Sequence, residues 1–292
     1  MDNDTSEFFF WEFSKNWELQ VIHIVLLLIL YSTTITGNLF IITTVIFDHQ
    51  LHTPMYFFLM NLAMQDIGLV SIIVPKAVFN SLMNIRTISY SGCIAQVMFF
   101  FFFLTYDVSL LTLMAYDRYI AICTKMIGSV WIASLLNASL YTIFTFITPF
   151  CSNIINQFYC EIPYLLKIAC PGLYASETGF VIFSAILTLG CFIFVLVTYL
   201  YIFSAVLRIP SVQGRKKAFT TCLPHLTVFS IFMFTGCFAY LKSMSDSPTY
   251  LDFIITIMYS IIPSMMNPFI QHEKQGYQSC SFKTFWSDVI SF

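Results

Sequence analysis

The sequence predicts an all-α membrane protein, a bundle of seven spanning helices, on three observations. Of its 292 residues 58% are hydrophobic and only 10% are charged, with a mean hydropathy of +0.81, which is more apolar surface than one soluble core can hide. Seven apolar runs follow one another at 21–47, 55–82, 93–123, 126–149, 176–207, 218–240 and 251–271. Each reaches the ~20 helical residues that cross a hydrocarbon core about 30 Å thick. The runs are uniformly apolar rather than alternating, so inside lipid their backbone polar groups are satisfied by helices and not by the strands of a barrel.

On this pattern the chain divides into an extracellular N-terminal segment at 1–20, a seven-helix domain at 21–271 and a cytoplasmic tail at 272–292. Five acidic side chains, Asp2, Asp4, Glu7, Glu12 and Glu18, stand where a cleavable signal needs a basic stretch. The first run is therefore expected to act as its own insertion signal. Orientation is read from Lys and Arg. Arg118, Lys125, Arg208, Arg215, Lys216 and Lys217 fall on one side, and Lys15, Lys76, Arg86, Lys167 and Lys242 on the other. The cluster Arg215–Lys217 beside the sixth run is the firmest element of that bias, and placing it in the cytoplasm puts the N-terminus outside. Asn3-Asp4-Thr5 is then a glycosylation acceptor on the outer side. The same pattern at Asn137-Ala138-Ser139 falls inside the fourth run, where no sugar can sit.

Polar residues within the runs are costly in a bilayer and are expected to face the bundle. They are Asn38 in the first run, Asp66 in the second, Asp107 in the third and Asn267 in the seventh. Adjacent carboxylates in a low dielectric cannot both stay bare, so Asp66 and Asp107 can share a sodium ion or a proton. A purely structural polar network accounts for them equally well. The third run ends in Met114-Ala-Tyr-Asp117-Arg118-Tyr119-Ile-Ala-Ile-Cys123, and the Asp117–Arg118 couple marks where that helix leaves the bilayer. Cys93, Cys151, Cys160 and Cys170 fall on the oxidising side; the even count predicts two bridges and leaves three pairings open. No His-Glu-x-x-His pattern and no nucleophile with a base point to an enzyme, and no inverted repeat of interrupted helices points to a transporter. Nothing in the pattern calls for an organic cofactor or a nucleic-acid partner.

Asp117-Arg118-Tyr119 resembles the signature of seven-helix G-protein-coupled receptors, and the longer segment Met114 to Cys123 resembles the olfactory receptor branch. Gly37-Asn38, Leu51-His-Thr-Pro54-Met-Tyr-Phe-Phe-Leu59, Asp66, Thr198-Tyr199, Lys217-Ala-Phe-Thr-Thr-Cys222 with His225-Leu226, and Pro263 with Asn267-Pro268 follow in the order of that family's motifs. The resemblance implies a rhodopsin-like bundle with disulfides Cys93–Cys160 and Cys151–Cys170. It also implies a small-molecule odorant and a heterotrimeric G protein as partners, in the lipid bilayer of the plasma membrane. The implied odorant pocket comprises Phe101, Leu104, Thr105, Val108, Ser184, Leu187, Gly236 and Tyr240, an apolar lining with a few hydroxyls that suits a small hydrophobic ligand. Because Phe99 to Phe103 are five aromatics in a row, only some can face such a pocket. The resemblance assigns activation and coupling to Asp117, Arg118, Tyr119, Tyr199, Lys217, His225, Asn267 and Pro268. Arg118 would be freed for the G protein when the sixth helix swings out, raising cyclic AMP. Without partner ligands nearby in sequence, His225 is not read as a zinc site.

The chain departs from the family at two places. After Cys123 the family continues through a basic inner loop, but here Thr124-Lys125 leads straight into Met126-Ile127. Two extended residues span only about 7 Å, against ~8–10 Å between packed helices, so a helix end must unwind. After Asn267-Pro268-Phe269-Ile270 the family has a Tyr and a basic tail, whereas this chain reads Gln271-His-Glu-Lys-Gln-Gly-Tyr-Gln-Ser-Cys280. With suitable codons that segment, read one base later, gives Ser-Met-Arg-Asn-Lys, the family's tail; a small frameshift is the corresponding hypothesis. Pro224 stands where the family usually has Ser and would kink the sixth helix. The alternative to a signalling receptor is therefore the product of a degraded receptor gene, retained in the endoplasmic reticulum or unable to couple.

Overall fold

The computed structural model describes residues 7–10, 17–49, 54–120, 127–155, 157–170, 175–208, 211–243 and 250–267. The helices are α1 (Trp17–Phe47), α2 (Pro54–Met83), α3 (Tyr90–Ile120), α4 (Ile127–Ile147), α5 (Ile162–Ile168), α6 (Ala175–Leu207), α7 (Val212–Ser243) and α8 (Tyr250–Ser260). After a turn at Ile261, helix resumes over 262–267. Seven of these correspond in order to the seven apolar runs. The eighth, α5, is a short helix in the outer loop between α4 and α6. Among the described residues, five stretches are long and apolar enough to cross a membrane: Trp17–Phe47, Tyr56–Met83, Tyr90–Ala115, Ile127–Ile147 and Gly179–Leu207. In α7 the apolar stretch among the described residues is Leu226–Ala239.

The outer faces of these helices are what lipid requires. On α6, Ile182, Phe183, Ile186, Leu187, Leu189 and Ile193 are each half or more exposed, a continuous apolar strip that water would not tolerate. The opposite faces pack in sequence: α1 on α2, α2 on α3, α3 against both α4 and α6, α6 on α7, and α7 on α8. Buried side chains fall into an outer cluster that includes Ile73, Phe100, Phe101 and Tyr159, and an inner one that includes Phe58, Leu110, Met114, Tyr199 and Phe229. Helix α3 contributes to both and is the central post. Where α2 meets it, a Cβ on Gly68 would lie 2.4 Å from the Phe103 ring, so a residue without a side chain is what permits the close approach.

The outer end is capped by a small sheet of order β2-β1-β3, with β1 at Glu7–Phe10, β2 at Thr87–Ser89 and β3 at Ile154–Ile155. Strand β1 runs antiparallel to β2, with Phe8 opposite Ile88, and parallel to β3, with Phe10 opposite Ile155. Alternation turns Phe8 and Phe10 inward, where Phe8 stacks near Tyr90 at 5.9 Å and meets Phe150 edge-on at 5.4 Å. The acidic segment before the first run thus holds a strand, and α1 begins at Trp17, earlier than the apolar run alone indicates.

Both disulfides have the pairing implied by the family resemblance. Cys93, in the first turn of α3, joins Cys160 with Cα atoms 5.5 Å apart, and Cys151 joins Cys170 at 4.9 Å. Cys160→Ser is expected to cost about 2–5 kcal/mol of stability, read as a lower melting temperature in detergent and as poorer surface delivery. Gly68→Ala is expected to destabilise by about 1–3 kcal/mol through overpacking. A second substitution, Phe103→Val, should recover most of that loss in a double-mutant cycle.

Candidate functional site

The site is built from the outer loop inward. The loop between α4 and α6 enters the bundle rather than lying over it: Tyr159, Cys160, Glu161, Ile162 and Leu165 are all buried. Several of its polar groups find partners inside the bundle, as burial favours. Gln96 of α3 accepts from the Cys160 backbone N–H at 2.8 Å through Oε1 and donates Nε2 to the Ile72 carbonyl of α2 at 3.1 Å. Gln157 donates to Thr256 Oγ1 of α8 at 2.7 Å. Tyr259 of α8 donates its hydroxyl to Glu161 and lies 2.7 Å from the Tyr159 hydroxyl. The loop is therefore fastened to α3 by a disulfide and to α8 by hydrogen bonds.

Below it, Tyr259 also borders a small cavity of about 20 Å3 lined by Asp66, Asp107, Ser260, Ser264 and Asn267. Asn267 donates Nδ2 to Asp66 Oδ2 at 2.8 Å. Asn38 donates Nδ2 to the carbonyls of Thr34, at 3.0 Å, and Ser264, at 3.2 Å. Asp107 Oδ1 and Asn38 Oδ1 are buried and accept no hydrogen bond. The structure thus brings Asp66, Asp107 and Asn267 to one cavity, with Asn38 held to the same helix segment through Ser264. A cavity that size holds about one water or one small cation. Two carboxylates with neutral oxygens suit a hard cation, and no group of three or more His, Cys, Asp or Glu that could hold a metal occurs among the described residues.

The residues expected to line an odorant pocket do not all converge. Phe101 stacks on Tyr141 of α4 with ring centres 4.5 Å apart, and Tyr141 meets Phe180 of α6 at 4.8 Å and lies near Ser184 of the same helix. Thr105 Oγ1 accepts from Asn137 Nδ2 of α4 at 3.0 Å. Phe101, Thr105 and Ser184 therefore lie along the junction of α3, α4 and α6, while Leu104 packs at the edge of the outer cluster. Val108 borders the carboxylate cavity instead. Leu187 is 55% exposed on the apolar outer face of α6. Gly236 faces open space, with nothing within 4 Å of an added Cβ. The side chain of Tyr240 lies outside the described residues. Of the five consecutive aromatics, Phe99 is exposed and Phe100, Phe101 and Phe102 are buried.

At the inner end, α3 remains helical through Ile120, and Tyr199 is buried in the inner cluster 5.9 Å from the Phe203 ring. The side chains of Asp117, Arg118, Tyr119, Lys217, Pro224 and His225 lie outside the described residues, as do Asn3, Pro268, the connection 121–126 and the tail. Sequence reasoning missed Gln96, Asn137, Tyr141, Glu161 and Tyr259. A signal existed for the α4 pair, since Asn137 and Tyr141 are polar residues one turn apart in an apolar helix, and for Glu161, the one acid between Cys151 and Cys170.

Three comparisons bear on this arrangement. A family profile described as olfactory receptor matches residues 27–280. Human olfactory receptor 14L1 is 39% identical over 91% of this chain and 87% of that protein, and human olfactory receptor 14I1 is 41% identical over 92% of each. The crystal structure of squid rhodopsin matches with a TM-score of 0.61 at 14% identity, covering 87% of this chain and 81% of that one, which bears on the fold alone. The profile match over most of the chain, with full-length relatives at this level of identity and a rhodopsin-like bundle, makes this chain a member of the olfactory receptor family, a seven-helix G-protein-coupled receptor and not an enzyme.

Proposed function

We propose that the protein is a plasma-membrane odorant receptor that takes a small, mostly hydrophobic molecule in its outer bundle and activates an olfactory stimulatory G protein, raising cyclic AMP. The observation that carries this reading is the course of α3. Its outer half supplies Phe100 and Phe101 beneath a disulfide-anchored loop, its middle supplies Asp107, and it stays helical down to the Asp117–Arg118 couple. A ligand that favours one packing of the outer cluster over another biases a two-state bundle by its differential affinity, and α7, moving at its inner end, would expose the coupling surface. Arg118, Tyr199, Lys217 and His225 are the residues assigned to that surface, and Asn267 ties it to the carboxylate cavity. The non-signalling alternative has no observation in its favour among the described residues, where both disulfides and the Asp66–Asn267 bond are intact.

The cavity between Asp66 and Asp107 is read as a sodium site that stabilises the resting arrangement, with Asp107 Oδ1 as a donor oxygen. Asp107→Asn should abolish the rise in melting temperature that sodium chloride, relative to choline chloride, gives the natural chain, and should remove the sodium dependence of agonist potency. Arg118→Ala is expected to cut the odorant-evoked cyclic AMP response at least tenfold at equal surface delivery, the latter measured by antibody labelling of intact cells. An unchanged response would overturn the coupling assignment, and absence of the natural chain from the cell surface would overturn the plasma-membrane reading.

A further inference from the structure

The last membrane helix, α8 and its continuation over 262–267, meets two separate polar regions. On its outer turns Thr256 Oγ1 accepts from Gln157 at 2.7 Å, and Tyr259 gives its hydroxyl proton to Glu161 and lies 2.7 Å from the Tyr159 hydroxyl. Further in, Ser260, Ser264 and Asn267 line the carboxylate cavity with Asp66 and Asp107. Of the side chains that fasten the loop, Gln96 and Thr256 stand away from that cavity, while Tyr259 is one of its walls. A phenol has one proton to give. With that proton on Glu161, the contact with Tyr159 is one in which Tyr159 donates, so both hydrogen bonds of the Tyr259 hydroxyl run to the loop and hold it in place. All three side chains are buried, so bulk water does not compete for those bonds. The cavity on the other side of the ring, at about 20 Å3, has room for roughly one water. A small shift of the ring therefore decides whether that water, or an ion of similar size, fits.

We propose that Tyr259 is a positioning residue that couples the outer loop to the carboxylate cavity. The loop's hold on its hydroxyl sets the space left in the cavity, and the state of the cavity sets how firmly the loop is held. The coupling is reciprocal, as any linkage between two sites is. A molecule that lifts the loop at the outer face thereby changes what the cavity can hold without touching it, and enlarging the cavity loosens the loop. Neither the odorant nor the sodium reading is needed, because both ends of the coupling are parts of this chain.

The test uses the full chain in nanodiscs and reads amide hydrogen exchange over residues 157–165 by mass spectrometry. Val108→Ala is the perturbation: Val108 borders the cavity, no loop residue lines the cavity with it, and along α3 it lies about 18 Å from Gln96, the residue that holds Cys160. Removing its methyl groups opens space beside the Tyr259 ring, which settles inward and draws its hydroxyl away from Glu161. Exchange over the loop segment should quicken about threefold or more in the natural chain. With Tyr259→Phe also present the same substitution should leave loop exchange unchanged, because phenylalanine keeps the ring and removes the bonds. A tyrosine that only packs predicts an equal response in both backgrounds, so the cycle separates coupling from a merely structural role. If Tyr259→Phe fails to fold, Tyr259→Phe combined with Glu161→Gln, which leaves no buried carboxylate at the joint, takes its place. No response of the loop to Val108→Ala in the natural chain, or an equal response with and without the tyrosine hydroxyl, would overturn the proposal.

Discussion

Asp66 and Asn267 meet in the interior of the bundle because lipid offers neither of them a partner. Each polar group on a membrane helix must be satisfied by another part of the chain or lie in a hydrated cavity, and this requirement organises the structure more than any apolar contact does. Asp66 draws α2 toward the 262–267 segment through Asn267, and Asn38 draws α1 to the same segment through the Ser264 carbonyl. Lipid tails are as apolar as the side chains they surround, so apolar burial alone gives little reason for one helix to prefer another. The polar contacts supply the register, and close packing such as that at Gly68 and Phe103 fills in around them.

The outer loop obeys the same rule under different constraints. It carries backbone, amide and carboxylate groups into an apolar setting, and it is tolerated there because Gln96, Thr256 and Tyr259 meet those groups. Tyr259 is the joint between two regions, reaching Glu161 on its outer side and bordering the Asp66–Asp107 cavity on its inner side. A displacement of the loop and a rearrangement of the carboxylates therefore share one side chain. That is a contiguous physical route between the outer face and the middle of the bundle, with a hydroxyl at its centre that can exchange partners.

Much of this was legible in the amino-acid order. Lipid imposes length and apolarity directly on sequence, so the seven helices could be read from windows of hydropathy, and their observed ends differ from the apolar runs mainly where polar caps extend them. The cost of burying Asn38, Asp66, Asp107 and Asn267 likewise made their inward orientation readable. The pocket lining was less so, because it rests on which face of a helix a neighbour covers. Leu187 and Ser184 are one turn apart, yet one lies on the lipid-facing strip and the other against Tyr141. The loop interior was also hidden, since the partners of Gln157 and Glu161 are about a hundred residues away in the chain and no local period announces them.

The outer sheet has an implication for how the molecule is assembled. Strand β1 is the first described element of the chain, but it lies between β2 and β3, and its parallel neighbour opposite Phe10 is Ile155. During synthesis it must wait outside the bilayer until four membrane helices have been threaded and the following loop has emerged. Contacts so distant in sequence are slow to close, and the strand's edges and inward aromatics remain uncovered in the meantime. The cap is thus a late lock, closed by the earliest residues only after half the protein exists.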